Sequence, residues 1–408
     1  MKREVWMSPY NRVPEVREAC VPRSNVTVCD TTMREGEQAA DVNLRLETRL
    51  EMARRLSDLG ICQIQVGYPG RSLLDGETIC RIKAAKLPVL VEALAQVFQA
   101  DWKHQIDAAI ESGADSIDLL YPSSDLRLKW VQKVTREEML ARSVEAIRYA
   151  AGRGPIVRFA PVDTTRTDLE FLRTVYTAAL EAGAERLSVA DTAGGTLPGA
   201  MRYLVSEVRK LTDVPIHVHC HDDFGLALAN TLAAFEAGAD ILDATINGLG
   251  ERAGNASLDE LVVALQVLYE VPLGVKTERL AELSRWMAEV TGVPVPASKP
   301  LVGRLAFSHK LDAHVWGALE HPPVYETIPP ELVGNRQYIP IGKYSGPVAL
   351  KAKLEQLGIL LPADREQRDR ILTRIAGEVE RVAVASRLAV SDETFERLAK
   401  SVIESGAW

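Results

Sequence analysis

Between residues 25 and 271 the chain repeats one pattern eight times: a short apolar run rich in β-branched residues, then a longer segment with apolar positions at helical spacing. The runs fall at residues 26–29, 62–66, 89–93, 116–120, 156–159, 187–190, 216–219 and 242–246. Between them lie helical stretches such as 44–59, 102–112, 136–151, 168–182 and 226–237, and Gly60, Gly113, Gly183 and Gly238 stand where helix C-caps belong. Strands separated by helices pair in parallel, because a hairpin cannot join them. Eight such units over about 250 residues predict an α/β fold, the (β/α)8 or TIM barrel. A doubly wound open sheet is the competing architecture, and the chain lacks its GxGxxG turn after the first run.

Beyond residue 271 the repeat stops. An amphipathic helix over 275–291 is followed by a break at Pro294, Pro296 and Pro300, and a second Pro-rich stretch occupies 322–330. The tail, 348–403, has helical spacing. The expected organisation is an N-terminal segment (1–24), a catalytic barrel (25–275), a linker region (276–347) and a small helical C-terminal region (348–408). A formal charge of -8 offers no basic field for nucleic acid or an anionic membrane. No run approaches the roughly 18 apolar residues of a membrane span, and residues 1–15 lack the apolar core of a secretory signal, so a cytoplasmic enzyme is expected. The 5 cysteines are scattered without CxxC spacing, which fits reduced thiols.

Barrel enzymes place their chemistry at the C-terminal ends of the strands. The seventh run ends in His217-Val218-His219-Cys220-His221-Asp222-Asp223. Alternate strand residues share a face, so His219 and His221 can point together into the barrel mouth as neutral nitrogen ligands, with His217 deeper in the core. The first run ends in Asp30-Thr31-Thr32-Met33-Arg34-Glu35-Gly36-Glu37-Gln38, crowding carboxylates, a cation and an amide into the same mouth. The eighth leads into the Gly-rich turn 247–255, which permits close backbone approach to a ligand.

Together these three motifs, in this order, resemble the DRE-TIM metallolyases, and within them the homocitrate synthase and isopropylmalate synthase family. The likeness extends through residues 306–314 and 342–346, so it spans most of the chain. It implies that Glu35, His219, His221 and Asn255 hold a divalent metal such as Mg, Mn, Zn or Co. It also implies that Arg34 stabilises the developing oxyanion and that Asp30 supports the ligands from behind. Gln38, Gln65, Arg127, Arg158 and Thr192 fall at positions of the 2-oxo acid site. His314, with Tyr325 as its partner, corresponds to the family base that deprotonates acetyl-CoA. In the family that segment serves the neighbouring subunit, which implies a homodimer. The reaction implied is Claisen-type condensation of acetyl-CoA with a 2-oxo acid, homocitrate synthase-like.

Several positions depart from the family pattern. Gln65 and Val162 stand where Glu is usual, Ala160 where Ser is, Arg127 where His is, Asp222 where Asn is frequent, and Asp312 where Gly is. Loss of two carboxylates and gain of a cation either reflects replacement at positions away from the substrate or makes the pocket more positive. The second possibility predicts a more anionic substrate, phosphonopyruvate or oxaloacetate, as in phosphonomethylmalate or Re-type citrate synthases. Two rivals remain at this level: a C–C lyase or aldolase of the same superfamily, and a non-catalytic scaffold on an inherited barrel. The segment around His314 argues against the first, and the intact set Arg34, Glu35, His219, His221 and Asn255 against the second.

Overall fold

The computed structural model describes residues 5–20 and 25–406, so residues 1–4 and 21–24 of the N-terminal segment and 407–408 of the C-terminal region lie outside the described residues. Eight strands close a barrel in sequence order: β1 Thr27–Asp30, β2 Gln63–Gly67, β3 Leu90–Gln96, β4 Ser116–Pro122, β5 Ile156–Val162, β6 Arg186–Asp191, β7 Ile216–Cys220 and β8 Ile241–Ala244. Every neighbouring pair is parallel, and β8 returns to β1 in the register Thr27↔Ile241 through Asp30↔Ala244. The expected TIM barrel is the fold observed.

The helices of this unit are α1 Pro14–Glu18, α2 Leu46–Leu59, α3 Leu73–Ala84, α4 Trp102–Glu111, the single-turn α5 Asp125–Arg127, α6 Arg136–Ala150, α7 Leu169–Ala182, α8 Pro198–Arg209, α9 Ala227–Glu236, α10 Leu258–Val263 and α11 Leu280–Thr291. They begin and end where local chemistry directs. Thr135 and Glu138 form a capping box at the start of α6, and Asp168 accepts from Phe171 N at the start of α7. Gly60 and Gly183 end α2 and α7 in the left-handed conformation, at φ 105° and 108°, which a side chain would strain.

The barrel lumen is unusual in what fills it. Barrel interiors are commonly layers of branched aliphatic side chains. Here Glu92 on β3, Asp118 on β4, Arg158 on β5, Ser188 on β6, His217 on β7 and Asp243 on β8 are all buried within it. Arg158 is the hub: Nη1 donates to Glu92 (2.8 Å), Nη2 to Asp243 (3.2 Å) and Nε to Ser188 Oγ (2.6 Å), with Asp118 at 3.5 Å. A cation without water must be surrounded by acids and other hydrogen-bond acceptors in this way, or its desolvation would be ruinous. Burial raises the Asp118 carboxyl, and the same burial is overcome by Arg158 at Glu92 and Asp243, which lie below the ordinary carboxylate range.

By contact, the barrel unit runs from Pro9 to Val295, and residues 296 onward, with the described residues before Pro9, form a second unit. The second unit contains α12 Asp312–Glu320, α13 Pro347–Gln356, α14 Arg365–Ser386 and α15 Asp392–Ser405. Leu350, Leu354, Ile371, Ile375 and Phe395 form the heart of its own apolar core. Asp312 finds a clear role here. Its carboxylate accepts from Ala349 N (2.8 Å) and Val348 N (3.4 Å), capping the first turn of α13 and tying α12 to it. No helix among the described residues is long and apolar enough to cross a membrane. All 5 cysteines are free.

Candidate active site

At the C-terminal ends of β1, β7 and β8 three side chains meet. Ligand atoms of Glu35, His219 and His221 all lie within 4.8 Å of one another, and all three residues are buried. The period-two geometry of β7 brings the two imidazoles together, with ring centroids 5.1 Å apart and edge to face. Glu35 reaches them from the turn after β1: Oε2 lies 3.7 Å from His219 Nε2, and Oε1 lies 3.9 Å from His221 Nε2 while accepting from Glu251 N (3.1 Å).

Asn255 arrives because the loop after β8 doubles back and pairs with His221. Its Nδ2 donates to Cys220 O (3.1 Å) and faces His219 Nε2 (3.1 Å), which leaves Oδ1 buried without a hydrogen-bond partner. That oxygen and Glu35 Oε1 converge on the backbone of Gly250. A Cβ there would sit 2.2 Å from Asn255 Oδ1 and 3.2 Å from Glu35 Oε1, so only glycine leaves room for both. A carboxylate, two imidazoles and an orphaned amide oxygen form a donor set that fits a divalent cation.

The protonation states favour the same use. Burial, then the neighbouring His219, pushes His221 down to about 3, which keeps its imidazole neutral. Burial opposes ionisation of Glu35, but Arg34 and the two imidazoles outweigh it and hold the carboxyl at about 2. His219 Nδ1 faces Asp243 Oδ2 at 3.3 Å, a geometry that directs its Nε2 lone pair toward Glu35 and Asn255. His217 sits below, with Nδ1 3.5 Å from Asp243 Oδ1, and burial followed by Arg158 lowers it to about 4.

Arg34 lies beside this cluster. Its Nη1 donates to Glu35 Oε2 and its Nε to Gln65 Oε1 (2.7 Å), while Nη2 has no partner among the described residues. Asp30 is arranged differently from its expected supporting role. Its carboxylate accepts from Thr32 N (3.0 Å) and Thr32 Oγ1 (2.9 Å), and Thr32 Oγ1 in turn accepts from Ile246 N (2.8 Å). It therefore shapes the loops after β1 and β8, with its hydrogen bonds going to Thr32 rather than to Arg34 or a ligand. Burial raises Asp30 to about 7, against the two Thr32 bonds. A carboxyl whose folded pKa exceeds its unfolded value contributes most stability below about pH 4, and loses it as pH rises toward 7. The melting temperature of Asp30→Asn relative to the parent is therefore expected to climb between pH 4 and 7. A difference independent of pH would contradict this.

Two residues expected at the 2-oxo acid have other commitments. Gln65 is fully buried, with Oε1 on Arg34 and Nε2 on Glu92 Oε2 (2.8 Å), so neither end of its amide is free for a ligand. Arg158 is 2% exposed and saturated by protein acids, so it supports the site from within the lumen. Thr192 is half-buried after β6, where its Oγ accepts from Asp163 N (2.8 Å) and its carbonyl from Arg252 Nη2 (2.9 Å). Gln38 is exposed at the end of a short 3-10 turn. Arg127, half-buried at the end of α5, has no side-chain partner among the described residues.

In the second unit His314 and Tyr325 stack with ring centroids 4.5 Å apart. Sequence reasoning missed their neighbours: His309 Nε2 lies 3.0 Å from Glu326 Oε1, which also accepts from Gln337 Nε2 (2.9 Å). It likewise missed Asp243, although an acid inside the apolar β8 run was a visible signal.

A closed parallel barrel with, at its mouth, a carboxylate–imidazole cluster that could hold a metal ion defines a TIM-barrel fold of the enzyme type. Residues 25–287 match the HMGL-like family, and residues 301–382 match the homocitrate synthase post-HMGL domain-like family. The homocitrate synthase AksA of Methanopyrus kandleri is 42% identical, over 98% of this chain and 97% of its own. The 2-isopropylmalate synthase of Methanocaldococcus jannaschii is 41% identical, over 92% of this chain and 73% of its own. The chain belongs to this HMGL-like family, in the branch of the homocitrate and isopropylmalate synthases. Among solved structures, the hydroxymethylglutaryl-CoA lyase of Pseudomonas aeruginosa shares the fold, with a TM-score of 0.58 and 22% identity over 67% of this chain and 95% of that one.

Proposed function

We propose that this protein condenses acetyl-CoA with an anionic 2-oxo acid to give a 2-hydroxy-2-carboxymethyl acid, in the manner of a homocitrate synthase. The observation that carries the reading is the buried donor set of Glu35, His219, His221 and the orphaned Asn255 Oδ1, with the free Nη2 of Arg34 beside it. A divalent cation held by that set (Mg, Mn, Zn or Co) would supply Lewis-acid polarisation of the keto group. Arg34 then donates to the keto oxygen as it gains charge. His314, stacked on Tyr325 and supplied by a second copy of the chain, takes a proton from the acetyl methyl group. The resulting carbanion attacks the keto carbon, the keto oxygen takes up a proton, and water cleaves the thioester to release CoA. The match of residues 301–382 to the homocitrate synthase post-HMGL domain supports condensation over C–C cleavage.

The unpartnered Arg127 supports a second reading, in which the substrate carries a compact distal anion, as phosphonopyruvate and oxaloacetate do. Arg127 follows β4, on the strand-end side of the barrel, and a half-buried cation attracts such a group more strongly than a fully water-exposed one does. CoA release from acetyl-CoA, followed with a thiol reagent across 2-oxoglutarate, oxaloacetate, phosphonopyruvate and 2-oxoisovalerate, tests both. We expect highest kcat/KM on a substrate with a distal acid. Highest kcat/KM on 2-oxoisovalerate would overturn the assignment, and an Arg127→His variant with an unchanged substrate order would remove the second reading.

A further inference from the structure

From the hydrogen-bond geometry behind Arg34, we infer that Gln65 and Glu92 form a positioning pair that fixes the orientation of the Arg34 guanidinium. The inference rests on the proposed role of Arg34 and extends it to residues that meet no substrate.

A guanidinium is planar and its donors point in fixed directions, so two anchors set where the remaining N–H groups aim. Arg34 has two: Glu35 takes Nη1, and Gln65 Oε1 takes Nε at 2.7 Å, leaving Nη2 directed to neither. Glu35 cannot hold the plane alone, because it also serves His219, His221 and Glu251 N. The second anchor is itself anchored. Gln65 Nε2 donates to Glu92 Oε2 at 2.8 Å, and this dictates which end of the amide faces Arg34. Glu92 is fixed in turn by Ser116 Oγ (3.1 Å) and Arg158 Nη1 (2.8 Å). Arg158 continues to Asp243, which faces His219 Nδ1. The polar chain thus leaves the site at Arg34 and returns to it at His219, through side chains that are all buried or nearly so.

Beside Glu92, an amide at position 65 suits this arrangement where the glutamate usual in the family would not. A glutamate there would face Glu92 across a 2.8 Å contact, and two carboxylates at that distance cannot both ionise. Arg34 would then compete with a shared proton for its anchor. Exchanging the two residue types, Gln65→Glu together with Glu92→Gln, returns an acceptor to Arg34 and keeps a donor–acceptor pair between the positions, at the cost of the bond that Glu92 Oε2 now also accepts from Arg158 Nη1. Arg158 retains Asp118 and Asp243 as counterions.

The test uses the metal-loaded protein, with kcat and KM for the 2-oxo acid measured separately, and melting temperature and metal stoichiometry as controls on folding. Gln65→Leu and Gln65→Glu should each lower kcat by about ten- to a hundred-fold, as loss of a supporting residue behind a ligand does, with KM little changed. The exchange variant should recover part of the loss seen with Gln65→Glu alone, the remainder reflecting the Arg158 bond given up at position 92. If Gln65→Leu fails to fold, the comparison of Gln65→Glu with the exchange variant still decides. Parental kcat in the single variants, a loss confined to KM, or no recovery on exchange would each overturn the inference. Absence of condensation by the parent protein would instead overturn the functional reading beneath it.

Discussion

Arg34→Ala is expected to lower kcat by about a hundred-fold or more, the scale seen when one preorganised donor to an oxyanion is removed. The reason is directional: Nη2 is the nitrogen of the fork left without a partner among the described residues, beside the Glu35–His219–His221 cluster. The loss should fall on kcat more than on KM, because the oxygen it serves is charged only as the new bond forms. Mixing Arg34→Ala with His314→Ala chains under conditions that exchange subunits should restore part of the activity, if each site draws His314 from its neighbour. Heterodimers with no regained activity would assign the whole site to one chain, and an Arg34→Ala variant with parental kcat would exclude the oxyanion role.

The second large effect concerns the metal. His219→Ala should weaken divalent-cation binding at least about ten- to a hundred-fold, since even residues one step behind a ligand cost that much when removed. It should also leave the fold largely intact, because His219 lies at the C-terminal end of β7, above the Arg158-centred lumen. Isothermal titration with Mn or Zn, beside thermal unfolding, measures both. Unchanged affinity and stoichiometry would sink the ligand assignment.

These residues differ in how far the sequence alone exposes them. The eight strands were readable to within a few residues at each end because burial on both faces writes continuous β-branched runs into the chain. His219 and His221 were readable as a pair because a strand puts alternate residues on one face. Glu35 and Asn255 required the family likeness, since they sit more than 200 positions apart and meet only when β8 closes against β1. What could not be read is the lumen. Glu92, Asp118, Arg158 and Asp243 come from four strands and meet across the barrel, and no local spacing encodes such a contact. That is why Gln65 and Arg158 were expected at the substrate and are found committed to protein partners instead. Asp312 shows the same limit on a smaller scale. An acid in place of a usual glycine is unexplained until α13 is seen to begin beneath it.

The functional claim itself is most directly tested by the product. Acetyl-CoA labelled with carbon-13 in both acetyl carbons is incubated with the metal-loaded protein and the preferred 2-oxo acid, and the products are analysed by mass spectrometry and NMR. Condensation predicts one new acid carrying both labelled carbons, with the former methyl carbon bonded to the former keto carbon and one CoA released per product. Labelled acetate with no new carbon–carbon bond, or turnover only in the direction of cleavage, would contradict the account.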